Sequence, residues 1–224
     1  MKKGKIMSAV ICTILFAVLI VLVKTVDVQQ IGPEGTSIGF AGINKTMNEA
    51  TGLNMTLYKI TEVLGLLALA VAGCFALLGL VQLIKRKSFA KVDPEIYALA
   101  GLYVVVLMLY VIFEKVIINY RPVIMPDEEH VEASFPSSHT MLGFVIMGST
   151  FIVIDKYIKN ESICRLIRIV SILILIAIVF GRLFSGVHWL TDILGGVLIS
   201  SALLFIFSAV IGALNKNKGS GSDE

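Results

Sequence analysis

Long apolar stretches separated by short polar segments run along the whole chain. Six stretches stand out, at residues 6–23, 60–84, 94–113, 140–154, 169–180 and 189–214. An α-helix crosses the hydrocarbon core of a bilayer with about 20 apolar residues, and about 17 is the lower limit. The fourth and fifth stretches are shorter, so we expect their helices to extend into the flanking polar residues. The pattern predicts an all-α integral membrane bundle of six transmembrane helices.

The first stretch has the competing interpretation of a cleaved signal peptide. It follows the basic residues Lys2, Lys3 and Lys5, as a signal peptide would. However, it is long for the apolar region of a signal peptide, and residues 24–27 offer no pair of small residues for cleavage. We therefore expect an uncleaved transmembrane anchor.

Composition supports a membrane protein and excludes several other classes. Hydrophobic residues make up 57% of the 224 residues and charged residues 16%, whereas soluble domains carry about 25% charged residues. The mean hydropathy is +0.90. The three cysteines form neither a disulfide framework nor a spaced metal site. The net charge of +3 is too small to indicate nucleic-acid binding.

The distribution of basic residues predicts the orientation. Six crossings place both termini on one side, and thirteen of the nineteen Lys and Arg residues fall on that side. The other six lie on the opposite side: Lys24, Lys45, Lys59, Lys115, Arg121 and Arg182. Because basic residues favour the cytoplasmic face, both termini are expected in the cytoplasm of a cell whose plasma membrane holds the protein.

Two segments fall outside this pattern. The outer segment, residues 25–57, contains five glycines, which make a regular element unlikely over most of it. It could lie on the membrane surface or cap a site, and the sequence leaves both open. Residues 215–224 are rich in Gly and Ser and predict a disordered tail after a six-span domain at residues 1–214.

Unusual polar residues collect at the outer ends of the last four spans. They form three clusters: Lys115 with Arg121-Pro122, Pro136-Ser137-Ser138-His139, and Arg182 with His188 and Asp192. The spans themselves hold few ionisable residues, which argues against a transporter with a charged pathway at the midplane. The predicted topology instead brings the clusters to one site at the membrane–water interface.

The residue types in these clusters suit a phosphate. Lys115, Arg121 and Arg182 would converge where the dielectric is low, which strengthens their hold on an anion, and the planar guanidinium matches phosphate oxygens. Ser137 and Ser138 precede a helix start, where free backbone N–H groups also favour an anion.

The spacing of two residues adds a nucleophile. His188 and Asp192 are four residues apart and share a face if the segment is helical. The carboxylate can then fix the imidazole tautomer and leave the other nitrogen free to attack. Together with His139, these residues describe phosphoryl transfer without a metal or another cofactor.

In these motifs the chain resembles the membrane-integrated type 2 phosphatidic acid phosphatase family, which is related in its site to vanadium haloperoxidases. The family pattern is Lys-x6-Arg-Pro, then Pro-Ser-Gly-His, then Ser-Arg-x5-His-x3-Asp. Here Ser138 replaces the glycine and Gly181 replaces the serine of the third motif. Glu114 stands at the position of the family lysine, so Lys115 is displaced by one residue.

The resemblance implies a role for each residue. His188 forms a phosphohistidine and Asp192 orients it, while His139 protonates the leaving oxygen and then activates water. Lys115, Arg121, Ser137, Ser138 and Arg182 would bind the phosphate. A bell-shaped pH dependence follows, because His188 must start neutral and His139 protonated.

The implied substrate is a lipid phosphate whose tail stays in the bilayer. Similar bacterial proteins act on undecaprenyl pyrophosphate or phosphatidylglycerophosphate, and phosphatidic acid is a further alternative. We favour the polyprenyl pyrophosphate because a site facing outward suits recycling of a lipid carrier. A non-catalytic scaffold and a transporter are the rival interpretations. The sequence does not indicate the oligomeric state.

Overall fold

A computed structural model describes residues 2–126 and 128–220, and helices account for most of this part of the chain. The helices are α1 (Lys2–Thr25), α2 (Ala41–Thr51), α3 (Met55–Arg86), α4 (Pro94–Lys115), α5 (Ser138–Tyr157), α6 (Glu161–Phe184) and α7 (Leu190–Ser220). All except α2 are long and apolar enough to cross a membrane. The predicted all-α bundle of six spans is therefore confirmed.

Polar caps set the helix boundaries that the apolar pattern left short. Asn160 accepts hydrogen bonds from the backbone N–H groups of Ser162 and Ile163, so α6 begins well before its apolar stretch. Ser137 accepts a hydrogen bond from Thr140 N–H at the start of α5. Both helices extend into flanking polar residues, as expected, and reach 20 and 24 residues.

Helix α5 lies at the centre of the bundle, where it packs against α3, α4, α6 and α7, while α1 packs on α7. The other spans are less enclosed and present aliphatic side chains outward, such as Leu66, which is 68% exposed. Apolar side chains in this position suit contact with lipid. The central position of α5 matters because its first turn carries Ser138 and His139.

An ion-pair network joins three spans at the end of the bundle that carries the chain termini. Lys156 of α5 pairs with Glu95 of α4, which is 1% exposed, and lies 3.6 Å from Asp93. Asp93 also pairs with Arg86 at the end of α3, with 2.8 Å between Nη1 and Oδ1. Because buried charges are costly without partners, this network fixes α3, α4 and α5 relative to one another.

Two segments outside the predicted spans have defined structure. The outer segment contains an 11-residue helix, α2, which packs against α6 and α7. At the other end, α7 continues through Ser220, so residues 215–220 are helical where a disordered tail was expected. Residues 221–224 of that expected tail lie outside the described residues.

Candidate active site

The three polar clusters come together at the end of the bundle opposite the termini. The N–H of Ser137 donates to the backbone oxygen of Asp192 over 3.1 Å, which joins the second cluster to the third. The indole Nε1 of Trp189 donates to the backbone oxygen of Tyr120 over 2.7 Å, which joins the third to the first. The N–H of Arg121 also donates to the oxygen of Glu132 over 3.0 Å. The convergence expected from the topology is therefore present.

His188 lies in the turn between α6 and α7, and it is 3% exposed. Its Nδ1 is 3.5 Å from Oδ2 of Asp192, and the same oxygen accepts the Trp189 N–H over 2.9 Å. Asp192 thus faces one edge of the imidazole, and Nε2 lies on the other. Within the described residues, neither ring nitrogen of His188 has a hydrogen-bond partner of normal geometry.

The surroundings of His188 keep its imidazole neutral. Burial, followed by the positive charges of Arg121 and Arg182, holds the pKa of His188 well below its ordinary value. These charges act on the ring because they lie close to it. A neutral imidazole beside cationic side chains can act as a nucleophile toward a bound anion.

Arg182 is fully buried at the end of α6. Its Nη2 pairs with the carboxylate of Glu62 on α3, and its guanidinium lies over the ring of Tyr58 at 4.8 Å from the centroid. In the part of the chain that the structure describes, its Nε and Nη1 have no hydrogen-bond partner. Buried N–H donors without an acceptor are costly, and an anion is a group that would satisfy them.

Arg121 lies in the segment between α4 and α5 and lines a cavity together with His188 and Ser138. Its Nε is 3.1 Å from Oε2 of Glu132. Its Nη1 is buried and has no hydrogen-bond partner among the described residues. Arg121 and Arg182 are two of the three cations that the sequence assigned to a phosphate, and that role stays a prediction.

The three side chains of the Ser137–Ser138–His139 segment lie in different surroundings. Ser137 is buried and caps α5. Ser138 lines the cavity of Arg121 and His188. His139 lines a second opening, between α3 and α5, and its Nε2 is 3.0 Å from Oε1 of Glu62. The first turn of α5 thus lies between the two openings.

Lys115 was expected at the site, but the structure places it elsewhere. It is the last residue of α4 and is exposed, and the residues that line the cavity of His188 include Glu114 instead. The helical phase explains the difference, since neighbouring residues on a helix point about 100° apart. The position of the family lysine is therefore the one that faces the cavity, and here it carries an acid.

Glu62 is a site residue that sequence reasoning did not identify, although it is an acidic residue within an apolar span. Such residues are costly in a membrane and usually functional, so that signal was available. Tyr58, one turn earlier on α3, carried no comparable signal. Its contact with Arg182 depends on how α3 and α6 pack.

The outer segment holds the turn that carries His188. Asn44 of α2 is fully buried, donates from Nδ2 to Oγ1 of Thr191 over 3.0 Å, and accepts the Thr191 N–H over 3.2 Å. Asn48 donates to the oxygen of Gly186 over 3.0 Å. The outer segment therefore packs against the turn that carries His188 and against the first turn of α7.

The described residues contain no group of three or more His, Cys, Asp or Glu side chains that could hold a metal ion. The polar groups around His188 are instead the cationic N–H groups of arginine, hydroxyl groups and the carboxylates of Asp192 and Glu114, and the buried arginine N–H groups among them lack partners within the described residues. This set of groups favours an anionic ligand.

Comparisons with known proteins agree with the site. The sequence pattern of the PAP2 superfamily matches residues 66–216, more than half of the chain. The fold is similar to the crystal structure of a transmembrane PAP2-type phosphatidylglycerolphosphate phosphatase from Bacillus subtilis, with a TM-score of 0.67 and 16% identity. The alignment covers 92% of this chain and 96% of that one. No curated protein sequence matches the chain.

Proposed function

Since the chain belongs to the PAP2 superfamily and is a lipid phosphatase, we propose that it hydrolyses undecaprenyl pyrophosphate through a phosphohistidine at His188. One observation carries the proposal. A buried, neutral imidazole lies beside two arginines whose buried N–H groups lack partners in the described part of the chain. That arrangement supplies a nucleophile and the charge stabilisation that phosphoryl transfer requires.

In the first step, the lone pair of His188 Nε2 forms a bond to the terminal phosphorus. The bond from phosphorus to the leaving oxygen breaks, and the oxygen keeps the electron pair and takes a proton from His139. Arg121, Arg182 and Ser138 stabilise the charge on the remaining oxygens, and Asp192 stabilises the imidazole that becomes positively charged.

In the second step, His139 takes a proton from water, and the water oxygen bonds to phosphorus. The N–P bond breaks and returns its electron pair to His188, which releases inorganic phosphate. Both histidines then recover their starting protonation, so the cycle needs no external acid, base or metal.

The opening beside His139 suits the lipid part of the substrate. It lies between α3 and α5 and is lined by Glu62, Val63, Leu66, Leu69 and Leu142. Apart from Glu62 and His139 its lining is apolar, and Val63 and Leu66 are exposed on the outside of the bundle. A leaving group that departs toward His139 could keep its tail in this groove while the phosphate stays among the arginines.

We favour undecaprenyl pyrophosphate because of the membrane orientation that the basic residues predict. The excess of basic residues on the side of the termini favours an outward site, where a lipid carrier would be released as a pyrophosphate. A second candidate is phosphatidylglycerophosphate. It is favoured by the fold similarity to the Bacillus subtilis enzyme, whose name gives that substrate.

Release of inorganic phosphate from a panel of lipids tests the proposal. The panel holds undecaprenyl pyrophosphate, phosphatidylglycerophosphate and phosphatidic acid in detergent micelles with EDTA. We expect the first to give the highest kcat/KM, and His188→Ala and His139→Ala to abolish release. Acid-labile, base-stable labelling of the wild-type protein by radioactive substrate would identify the phosphohistidine.

The same panel separates the rival functions. Highest kcat/KM on phosphatidylglycerophosphate would make that lipid the substrate. No release from any lipid would favour a scaffold. Flux of lipid across vesicles that survives His188→Ala would favour a transporter. Activity lost in EDTA and restored by a divalent ion would contradict the metal-free mechanism.

A further inference from the structure

Glu62 is the acidic side chain that connects two groups of the proposed mechanism. Its carboxylate pairs with Nη2 of Arg182 on α6 and lies 3.0 Å from Nε2 of His139 on α5. The carboxylate is partly exposed, whereas Arg182 is fully buried. Neither partner is on the helix of Glu62, so three spans meet at this one side chain.

We propose that Glu62 is a positioning residue that makes His139 the proton donor through Nδ1 and aims Arg182 at the phosphate. The proposal rests on the function proposed above. Glu62 fixes the Nε2–H tautomer of His139, which leaves Nδ1 to exchange the proton with the leaving oxygen. It also occupies one end of the Arg182 guanidinium, which leaves Nε and Nη1 for the substrate.

The orientation of the imidazole of His139 supports this assignment. A Cβ placed on Gly65 of α3 would lie only 2.9 Å from Cδ2 of His139, so this edge of the ring is against α3. Nδ1 is on the opposite edge and is therefore turned away from α3. It is buried, and it has no hydrogen-bond partner within the residues described.

The two histidines are thus arranged in the same way. His188 faces Asp192 with Nδ1 and has Nε2 free, and His139 faces Glu62 with Nε2 and has Nδ1 free. In each pair a carboxylate faces one nitrogen and would stabilise the positive imidazolium. The nucleophile and the acid of one reaction therefore each have a carboxylate of their own.

The charges around His139 determine when Glu62 acts. Arg182, Arg121 and His188 face it with positive or potentially positive charge, and Glu62 with negative charge; Tyr58 is a further neighbour of Glu62. The two arginines present positive charge toward this imidazole. A bound phosphate neutralises them, and Glu62 then favours the imidazolium that must donate the proton.

Glu62→Gln tests the proposal because the amide keeps the size and one acceptor oxygen but loses the charge. Two substrates are compared: dodecyl phosphate, whose alkoxide leaving group needs a proton, and 4-nitrophenyl phosphate, whose phenolate does not. We expect kcat on dodecyl phosphate to fall on the order of 10- to 100-fold, a part of the effect typical of general acid catalysis. On 4-nitrophenyl phosphate we expect a smaller fall in kcat, because the weaker aim of Arg182 affects both substrates but the missing proton donor affects only dodecyl phosphate.

The pH profile provides a readout that a purely structural role would not change. We expect the basic limb of kcat for dodecyl phosphate to move to lower pH in Glu62→Gln, because the substrate-bound His139 loses the charge that favours its protonation. The matched control is Glu34→Gln. Glu34 lies in the outer segment and forms a carboxylate–histidine pair with the exposed His130, with 2.9 Å between Oε1 and Nδ1. Loss of the Glu34 charge should leave kcat and the pH profile unchanged.

Other outcomes would overturn the proposal. Equal loss on both substrates with an unchanged pH profile would reduce Glu62 to a structural ion pair, and unchanged kcat would remove it from the mechanism. Wild-type protein and His188→Ala in the same assay test the proposed function separately. If wild-type protein hydrolysed neither substrate, the lipid-phosphatase mechanism would fail before Glu62 was in question.

Discussion

The docking of α2 on the turn that carries His188 leads to a quantitative prediction for Asn44→Ala. The side chain of Asn44 makes three hydrogen bonds: it donates to Gly39 O over 2.8 Å and to Thr191 Oγ1 over 3.0 Å, and it accepts from Thr191 N–H over 3.2 Å. All are buried. Each buried hydrogen bond contributes about 1 kcal/mol net, so their loss should lower the free energy of unfolding by about 3 kcal/mol.

The same substitution should impair catalysis at temperatures where the protein remains folded. Thr191 directly precedes Asp192, so a looser first turn of α7 displaces the carboxylate that faces His188. Displacements of about 1 Å at a reacting group can lower rates on the order of 100-fold. We expect kcat for phosphate release to fall with little change in KM for substrates bound mainly by the arginines.

Reversible unfolding in mixed detergent micelles measures the stability, and phosphate release at a temperature well below the transition measures kcat. Two variants on the same helix form a graded series. Asn48→Ala removes one hydrogen bond, to Gly186 O, and should cost about 1 kcal/mol. Glu49→Gln removes only an exposed ion pair with Lys45 and should change neither quantity. If Asn44→Ala had the same free energy of unfolding and the same kcat as Glu49→Gln, the buried hydrogen bonds of Asn44 would not hold α2 against α7.

Three further predictions concern pH, the first motif and the ion-pair network. The acid limb of the kcat/KM pH profile should lie well below the ordinary pKa of imidazole. The neutral form of His188 attacks, and burial and neighbouring cations lower the pKa of His188. An acid limb at or above the ordinary pKa of imidazole would contradict this expectation. Lys115→Ala should reduce phosphate release much less than Arg121→Ala, because only Arg121 lines the cavity; equal losses would return Lys115 to the site. Lys156→Met should lower the free energy of unfolding in detergent by about 3 kcal/mol, because it removes the ion pair with the buried Glu95 and the neighbouring contact with Asp93. We expect kcat at low temperature to stay near that of wild type. An unchanged unfolding transition would show that these ion pairs add nothing to stability.

Much of the architecture could be predicted from the sequence because the constraint on a transmembrane helix is local. Each span satisfies its own backbone hydrogen bonds and needs only enough consecutive apolar residues, so all six were recognised without knowledge of their partners. The convergence of His139, Arg182 and His188 followed as well, since successive spans alternate in direction and bring motifs at their outer ends to one level.

The remaining features depended on contacts between residues far apart in sequence. Whether Glu114 or Lys115 faces the cavity depends on the rotation of α4 against α5, and the recruitment of Glu62 depends on the packing of α3 against α6. The outer segment has no apolar periodicity from which its packing against α6 and α7 could be predicted. Hydrogen bonds from Asn44 and Asn48 hold it there instead. Sequence alone therefore determined the spans and the chemical groups, because hydrophobicity and motif spacing act along the chain. Tertiary structure decided which atoms face the substrate, because side-chain direction is fixed only when helices pack.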